Sequence, residues 1–238
     1  MSSFAVILDY CGGLRTDELV EQLRGWNPGT KINVLDNASP IKPCKYVTHQ
    51  NVVNSYTGGG IRDCLRLSSE AGARFVLFIA NDIQCVTPLI ISRFEDVIRS
   101  DTSAVHVSAS ITPDSAQALS FPWMVRRSHA GARIVPHADL LVSLIDREFI
   151  SSFGGFPESR GGWGYAMELS YHAHLGSKKI YILDDCVVQH SGIPQNGSPE
   201  KVRAEKAREA RDVYRERYGN IPWEDFKAGL ADWKPSGC

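Results

Sequence analysis

Asn81 and Asp82 follow, one residue on, after Phe75-Val76-Leu77-Phe78-Ile79, an unbroken apolar run of strand length, rich in β-formers and without alternation. Such a run reads as a central parallel strand covered on both faces. Its acidic neighbour therefore stands at a strand's carboxyl end, where open α/β sheets form their ligand crevice. A carboxylate there suits a divalent cation carrying a phosphorylated ligand, because Mg²⁺ takes one or two carboxylates and fills its other positions with phosphate oxygens and water. A turn, or a cap for the helix after Pro88, is the structural alternative for the same two residues. Asp9, after the apolar run from Phe4 to Leu8, and Asp36, after Ile32 to Leu35, repeat the arrangement. The three acidic strand ends can line one rim.

The elements that must carry these acids alternate along the chain. Arg15 to Trp26 has helical spacing and stops at Asn27-Pro28-Gly29. Lys45 to Thr48 reads as a third short strand. Gly58-Gly59-Gly60 precedes a helix through Ile61, Leu65, Leu67 and Ala71, ended by Gly72. A glycine run at a helix start lets backbone approach a ligand and frees N–H groups for phosphate, although a plain loop-to-helix turn explains it equally well. Beyond Pro88 come a helix to about Arg99, a strand from Ala104 to Val107, an extended Trp123-Met124-Val125, a loop over Ser128 to Ala132 and a mixed segment from Ala138 to Phe153. Glycine-rich Gly161-Gly162-Trp163-Gly164 leads into a helix over Tyr165 to Leu175. Ile180 to Ile182 and Cys186 to Val188 read as short strands, the second leading to His190-Ser191-Gly192. Pro199 to Tyr218 reads as a solvated helix with i,i+4 charge pairs. Alternating strands and helices imply an α/β fold wound with right-handed crossovers.

At 238 residues the chain fits one large α/β domain or two small ones, and 43% hydrophobic with 22% charged residues excludes wholesale disorder. A net charge of -1 argues against a strongly electrostatic nucleic-acid or membrane binder. The six cysteines are scattered without metal-ligand spacing and read as reduced thiols. With no basic segment before Phe4 and no stretch near the roughly 20 apolar residues of a membrane span, a cytoplasmic protein without a transmembrane segment is expected.

Taken in order, these pieces resemble the GT-A fold glycosyltransferases, in particular the family 2 group with rhamnosyltransferase-like enzymes. Val6-Ile7-Leu8-Asp9-Tyr10 looks like the first strand, Val34-Leu35-Asp36-Asn37-Ala38-Ser39 like the Asp-Asn-x-Ser segment that holds the nucleotide base, and Asn54 to Gly60 like the Asn and Gly-rich turn. Phe78-Ile79-Ala80-Asn81-Asp82 sits where the metal motif lies. Ile150 to Glu158 resembles the acceptor-side Gly-Gly-Phe-Asp-Glu segment, and His190-Ser191-Gly192 the family's late His. The resemblance covers about residues 4 to 192.

The resemblance implies a GT-A type, Rossmann-like fold: a central, mostly parallel sheet flanked by helices, with a C-terminal helical extension. It implies a glycosyltransferase domain over 1–195, with a donor half at about 1–107 and an acceptor half at 108–195, and an extension over 196–238 packed on the same domain. Leu8, Asp9, Tyr10, Asp36, Asn37, Asn54, Gly59 and Asn81 would bind the donor nucleotide. Asp36 would accept a hydrogen bond from the N3–H of uracil or thymine; its structural alternative is an Asx turn. Asp82 and His190 would hold Mn²⁺ or Mg²⁺, weakly, because Ala80 replaces the first metal-motif residue. Gly155, Trp163 and Tyr165 would face the acceptor, the two aromatic residues being core in the alternative reading. Tyr165-Ala166 stands where the family carries its catalytic Glu-Asp pair, so the base falls to Glu168, then to Glu158 and Asp185.

The implied reaction is transfer of a sugar from a UDP-, dTDP- or GDP-sugar to an acceptor hydroxyl with inversion. The acceptor is a glycan, a lipid-linked compound or, on the basic residues from Lys201 to Arg217, DNA. A non-catalytic nucleotide-sugar binder is the alternative, since both the metal motif and the base pair are altered. A nucleotidyltransferase is disfavoured by the lack of an N-terminal Gly-rich triphosphate loop.

Overall fold

The structure, a computed structural model, describes residues 3–127, 130–190, 200–220, 224 and 226. The first unit is β1 (Phe4–Asp9), α1 (Leu14–Trp26), β2 (Ile32–Asp36), β3 (His49–Gln50), α2 (Tyr56–Glu70) and β4 (Phe75–Ala80). It continues through β5 (Ile83–Cys85), α3 (Ile91–Ser100), β6 (Ala104–Ile111), β7 (Ala132–Val135), β8 (Val142–Asp146) and α4 (Arg147–Ser152). It closes with α5 (Tyr165–Leu175), β9 (Lys179–His190) and α6 (Glu200–Tyr218). Strands β1, β2 and β4 are buried almost end to end, which is why their sequences run apolar without alternation.

The nine strands among the described residues form one sheet in the order β3-β2-β1-β4-β8-β6-β9-β5, with β7 paired to β9. The run β3-β2-β1-β4 is parallel; β8 lies antiparallel between β4 and β6, and β9 is parallel to β6. Six strands therefore point one way, and β5, β7 and β8 run against them. The rim follows from the register. Asp9 stands beside Asp36, Leu8 beside Ala80, and Ile83 beside His190. The Ala80 N–H bonds to Leu141 O at 2.8 Å, which brings the segment before β8 to the same edge.

The sequence expectations hold for the buried strands and fail where tertiary partners intervene. Lys45 to Thr48 is not a strand: the Lys45 N–H donates to Asp17 in α1, and the chain reaches β2 only at Thr48, so β3 begins at His49. Trp123 lies in a single 3-10 turn (Pro122–Met124), not in extended chain. The two short strands expected over 180–188 are one, β9, with a bulge at Asp184 to Cys186. Helix α6 has a buried seam, Ala210 and Tyr214, hidden in its charged pattern. Ser128, His129, Ser191, Gly192 and, apart from 200–220, 224 and 226, the C-terminal extension lie outside the described residues. Among the described residues no helix is long and apolar enough to cross a membrane, and Cys11, Cys44, Cys64, Cys85 and Cys186 are free thiols.

The glycine run lies inside α2 and serves packing. A Cβ on Gly58 would stand 1.9 Å from Ser159 O, one on Gly60 2.7 Å from a Leu8 methyl, and one on Gly59 2.4 Å from Ser55 Cβ. The Gly58 N–H is also taken, by Arg160 O at 2.8 Å. The loop over 157–162 is thus seated on the start of α2. Gly58→Ala is expected to lower stability by about 1–3 kcal/mol, roughly 2–4 °C of melting temperature per kcal/mol in a chain of this size. Gly25→Ala, with nothing within 4 Å, should be neutral or stabilising by up to about 1 kcal/mol. Calorimetry of the two variants checks the contrast.

Candidate active site

At the end of β4 the Asp82 Oδ2 lies 3.0 Å from His190 Nε2, at the end of β9. The other imidazole nitrogen, Nδ1, is 2.8 Å from Gln117 Oε1. Burial pushes the Asp82 carboxyl up, but the hydrogen bond and charge of His190 outweigh it, helped by Arg15 in the first turn of α1, and its pKa ends below the ordinary value. Asp139, in the segment before β8, faces the same group: burial raises its pKa against smaller lowering effects that include His190 and a Gln117 hydrogen bond.

Asp9 behaves oppositely. It is fully buried at the end of β1, and burial raises its pKa although Thr16, Asn81 and the Gly12 N–H all donate to it. All three bonds reach Oδ1, and Oδ2 is left without a partner. Gly12 is required here, since a Cβ would meet Thr16 Oγ1 at 2.0 Å and Asp9 Oδ1 at 2.3 Å. Asp36 takes the turn role: Ser39 donates through both its N–H and its hydroxyl, and Gln50 Nε2 donates at 3.0 Å. Asn37 accepts from Asn51 and Ser55 while its amide donates to Asn54 and to Tyr56 O. Asn37 and Asn54 therefore tie the β2 exit to the start of α2. Leu8 packs on Gly60, and Tyr10 is half-buried beyond the strand end.

The acceptor-side residues separate. Tyr165 is fully buried, stacked on Phe156 at 4.4 Å and donating to Pro157 O at 2.5 Å, and burial pushes its hydroxyl up to about 12. It is core, whereas Trp163 is 50% exposed. Gly155 gives its carbonyl to Arg217 at 2.7 Å. Glu168 is fully buried under α6, accepting from Tyr214 at 3.2 Å and Tyr218 at 2.5 Å, with Arg217 at 3.6 Å. Asp185 sits in the β9 bulge, paired to Arg93 at 2.8 Å. Glu158 is the open acid, its side chain 94% exposed and 3.4 Å from Arg62.

A cation fits the Asp82 and His190 pair. Two donors held at right angles around one ion at the Mg²⁺ distance of about 2.1 Å lie about 3.0 Å apart, which is the separation of Oδ2 and Nε2. Ala80 offers no side-chain donor atom, and the Asn81 amide is turned to Asp9, so neither side chain completes the set. Among the described residues no group of three His, Cys, Asp or Glu is arranged around an ion. Two protein ligands leave the remaining positions to phosphate oxygens and water. Sequence reasoning missed Arg15, Gln117 and Asp139. Arg15 could have been found as the cation opening α1 after Asp9, but nothing local marks the other two.

Burial raises the Glu168 pKa above its usual 4.5, against lowering by Tyr218, Arg217 and Tyr214. A folded value above the unfolded one gives stability that is complete below the unfolded pKa and lost as pH rises through the folded one. Wild type is therefore expected to lose stability relative to Glu168→Gln as pH rises from the ordinary carboxylate range through the raised folded value. Melting temperatures of the two proteins across that range check it; a constant difference would place the ionisation elsewhere.

No protein-family model matches the chain, and no curated protein matches it by sequence. Among solved structures it is similar to GalNAc-T7, whose crystal structure holds UDP, GalNAc and Mn²⁺. The superposition has a TM-score of 0.62 at 14% identity and covers 97% of this chain and 54% of that one, so this chain spans about half the length of its neighbour. The likeness is one of fold: a mixed central sheet flanked by helices, of the GT-A, Rossmann-like type.

Proposed function

We propose that the chain is a glycosyltransferase that moves a sugar from a nucleoside-diphosphate donor to an acceptor hydroxyl, in one displacement with inversion. The observation that carries this reading is the Asp82 and His190 pair, spaced as cis ligands of one cation at the carboxyl rim of a GT-A sheet. The UDP and Mn²⁺ bound by GalNAc-T7 support it. Bound there, a divalent cation supplies Lewis-acid stabilisation to the departing diphosphate. Arg15, exposed at the start of α1 and acting on Asp82, adds positive charge on the same side. Leu8, Asp9 and Tyr10 form the floor of the donor site, and the Asp36 turn and the asparagine-linked loop around Asn54 form its wall. Trp163 offers its exposed face to the acceptor. Glu158 is assigned as base because it is the candidate acid open to an incoming hydroxyl.

Purified protein with Mn²⁺ and a panel of UDP-, dTDP- and GDP-sugars is expected to bind at least one and to hydrolyse it slowly. Silence across the panel, by calorimetry and by nucleotide release, removes the proposal. With an accepted donor, Asp82→Asn should abolish metal-dependent turnover, and Glu158→Gln should cut transfer by about 10²–10⁴-fold while leaving donor affinity unchanged. Locked ion pairs at Glu168 and Asp185 favour a second reading, a nucleotide-sugar binder without turnover. It predicts donor binding that no acceptor extract converts to transfer, and indifference to Glu158→Gln.

A further inference from the structure

We propose that the acceptor is a glycan carrying an anionic group, a carboxylate or a phosphate, and that it docks on the surface formed by Tyr56, Arg160, Trp163 and Lys206. The inference rests on the glycosyltransferase reading and names the substrate class of its acceptor side. Three elements converge at this surface. The N–H of Gly58, in the first turn of α2, donates to Arg160 O at 2.8 Å, which seats the loop over 157–162 on that helix. Helix α6 meets the same loop: the Arg160 N–H donates to Glu209 Oε1 at 2.9 Å, and the guanidinium pairs with the same carboxyl at 2.5 Å. A Cβ on Gly161 would stand 2.6 Å from Trp163 Cδ1 and 3.1 Å from Lys206 Cβ, so both side chains lie against that glycine.

Two exposed aromatic rings and a cation without a carboxylate of its own meet here. Lys206 Nζ stands 4.7 Å from the centre of the Tyr56 ring, and Arg160 Cζ stands 5.7 Å from it. Glu209 is committed to Arg160, and among the described residues no carboxylate pairs with Lys206. Burial and the Arg160 charge hold the Lys206 ammonium below its ordinary pKa against an opposing effect of Glu209, and an incoming anion relieves that strain. Tyr56 is 37% exposed and has φ 56°, a left-handed conformation that is costly for a bulky side chain. Its N–H donates to Asn54 Oδ1 at 2.7 Å and its carbonyl accepts from Asn37 Nδ2 at 2.9 Å, so the ring is held out against that cost. Aromatic faces take the apolar face of a sugar ring, while ammonium and guanidinium groups bind carboxylate and phosphate oxygens. Glu158, assigned as base, belongs to the same loop, which joins that acid to the platform. The carboxylates of Glu158 and Glu209 beside the cations oppose a continuous polyanion such as DNA, and so favour a glycan with isolated charges.

The test uses the full chain and titrates it with a galacturonate trimer, with glucose 6-phosphate, with the neutral sugars maltotriose and glucose, and with a single-stranded oligothymidylate. Trp163 fluorescence, identified by the signal lost in Trp163→Phe, should be quenched by at least one anionic sugar, and the arm that responds tells carboxylate from phosphate. The matching neutral sugar should bind about 10–100-fold more weakly, and added salt should weaken the anionic one. Lys206→Met, which keeps the aliphatic stem and removes the charge, should lower affinity for the anionic sugar by the same factor. Equal binding of the neutral sugar, or silence of both anionic sugars, overturns the proposal with no variant needing to fold. So does Lys206→Met with wild-type affinity. Tighter binding of the oligothymidylate overturns it in favour of nucleic acid, and a loss of nucleotide-sugar affinity in Lys206→Met overturns it in favour of the donor. Where wild type binds a nucleotide-sugar, each of these results removes the acceptor assignment alone; silence toward every donor removes the glycosyltransferase reading, and the acceptor role with it.

Discussion

The site depends on the register with which β9 delivers His190 to the end of β4. Because side chains alternate along a strand, a slip of one residue would turn His190 to the opposite face of the sheet. The register is set at the bulge: Leu183 pairs with Ala109 and Val187 with Ser110, so Asp184, Asp185 and Cys186 are the extra residues of β9 that the β6 register skips. Two carboxylates at a bulge need counter-charges. Arg133 holds Asp184 at 3.0 Å and also reaches Val125 O and Trp123 O, while Arg93 holds Asp185. The same contacts pin the segment over 122–127, so the loop that carries Gln117 is held at its downstream end. Asp185 is engaged in this staple.

Two carboxylates on neighbouring strands are driven in opposite directions by their surroundings. Asp9 is fully buried and loses to desolvation in spite of its three donors, whereas Asp82 has His190 and Arg15 and keeps its charge. The contrast assigns them different work. Asp82 is the anion of the rim. Asp9 organises the turn into α1 through Gly12, Thr16 and Asn81, and it thereby withdraws Asn81 from any metal.

Helix α6 defines the other boundary. Tyr214 fills the space over Gly164, where a Cβ would stand 2.5 Å from its ring, and together with Tyr218 and Arg217 it closes over Glu168. Glu168 thus joins the extension to α5. A carboxylate buried at this depth is retained only with such donors around it. Arg217 also ties Phe153 O and Gly155 O, so one helix turn fastens both α5 and the loop before it.

Much of this was legible in the chain. Non-alternating runs such as Phe75 to Ile79 identify buried parallel strands, and an acid placed directly after each run lies at the carboxyl rim, because strand direction and side-chain position leave it nowhere else. The α/β class and the place of Asp82 beside the carboxyl rim follow from those local patterns, while the GT-A type came from the resemblance of the motifs taken in order. Which acid faces solvent, which is locked, and which side chain meets a histidine depend on residues separated by tens of positions: Glu168 on Tyr218, Asp185 on Arg93, His190 on Gln117. Only packing brings such pairs within hydrogen-bond distance. Local periodicity carries no record of partners so remote, and for that reason the sheet could be read from sequence while the chemistry of its rim was decided by the tertiary structure.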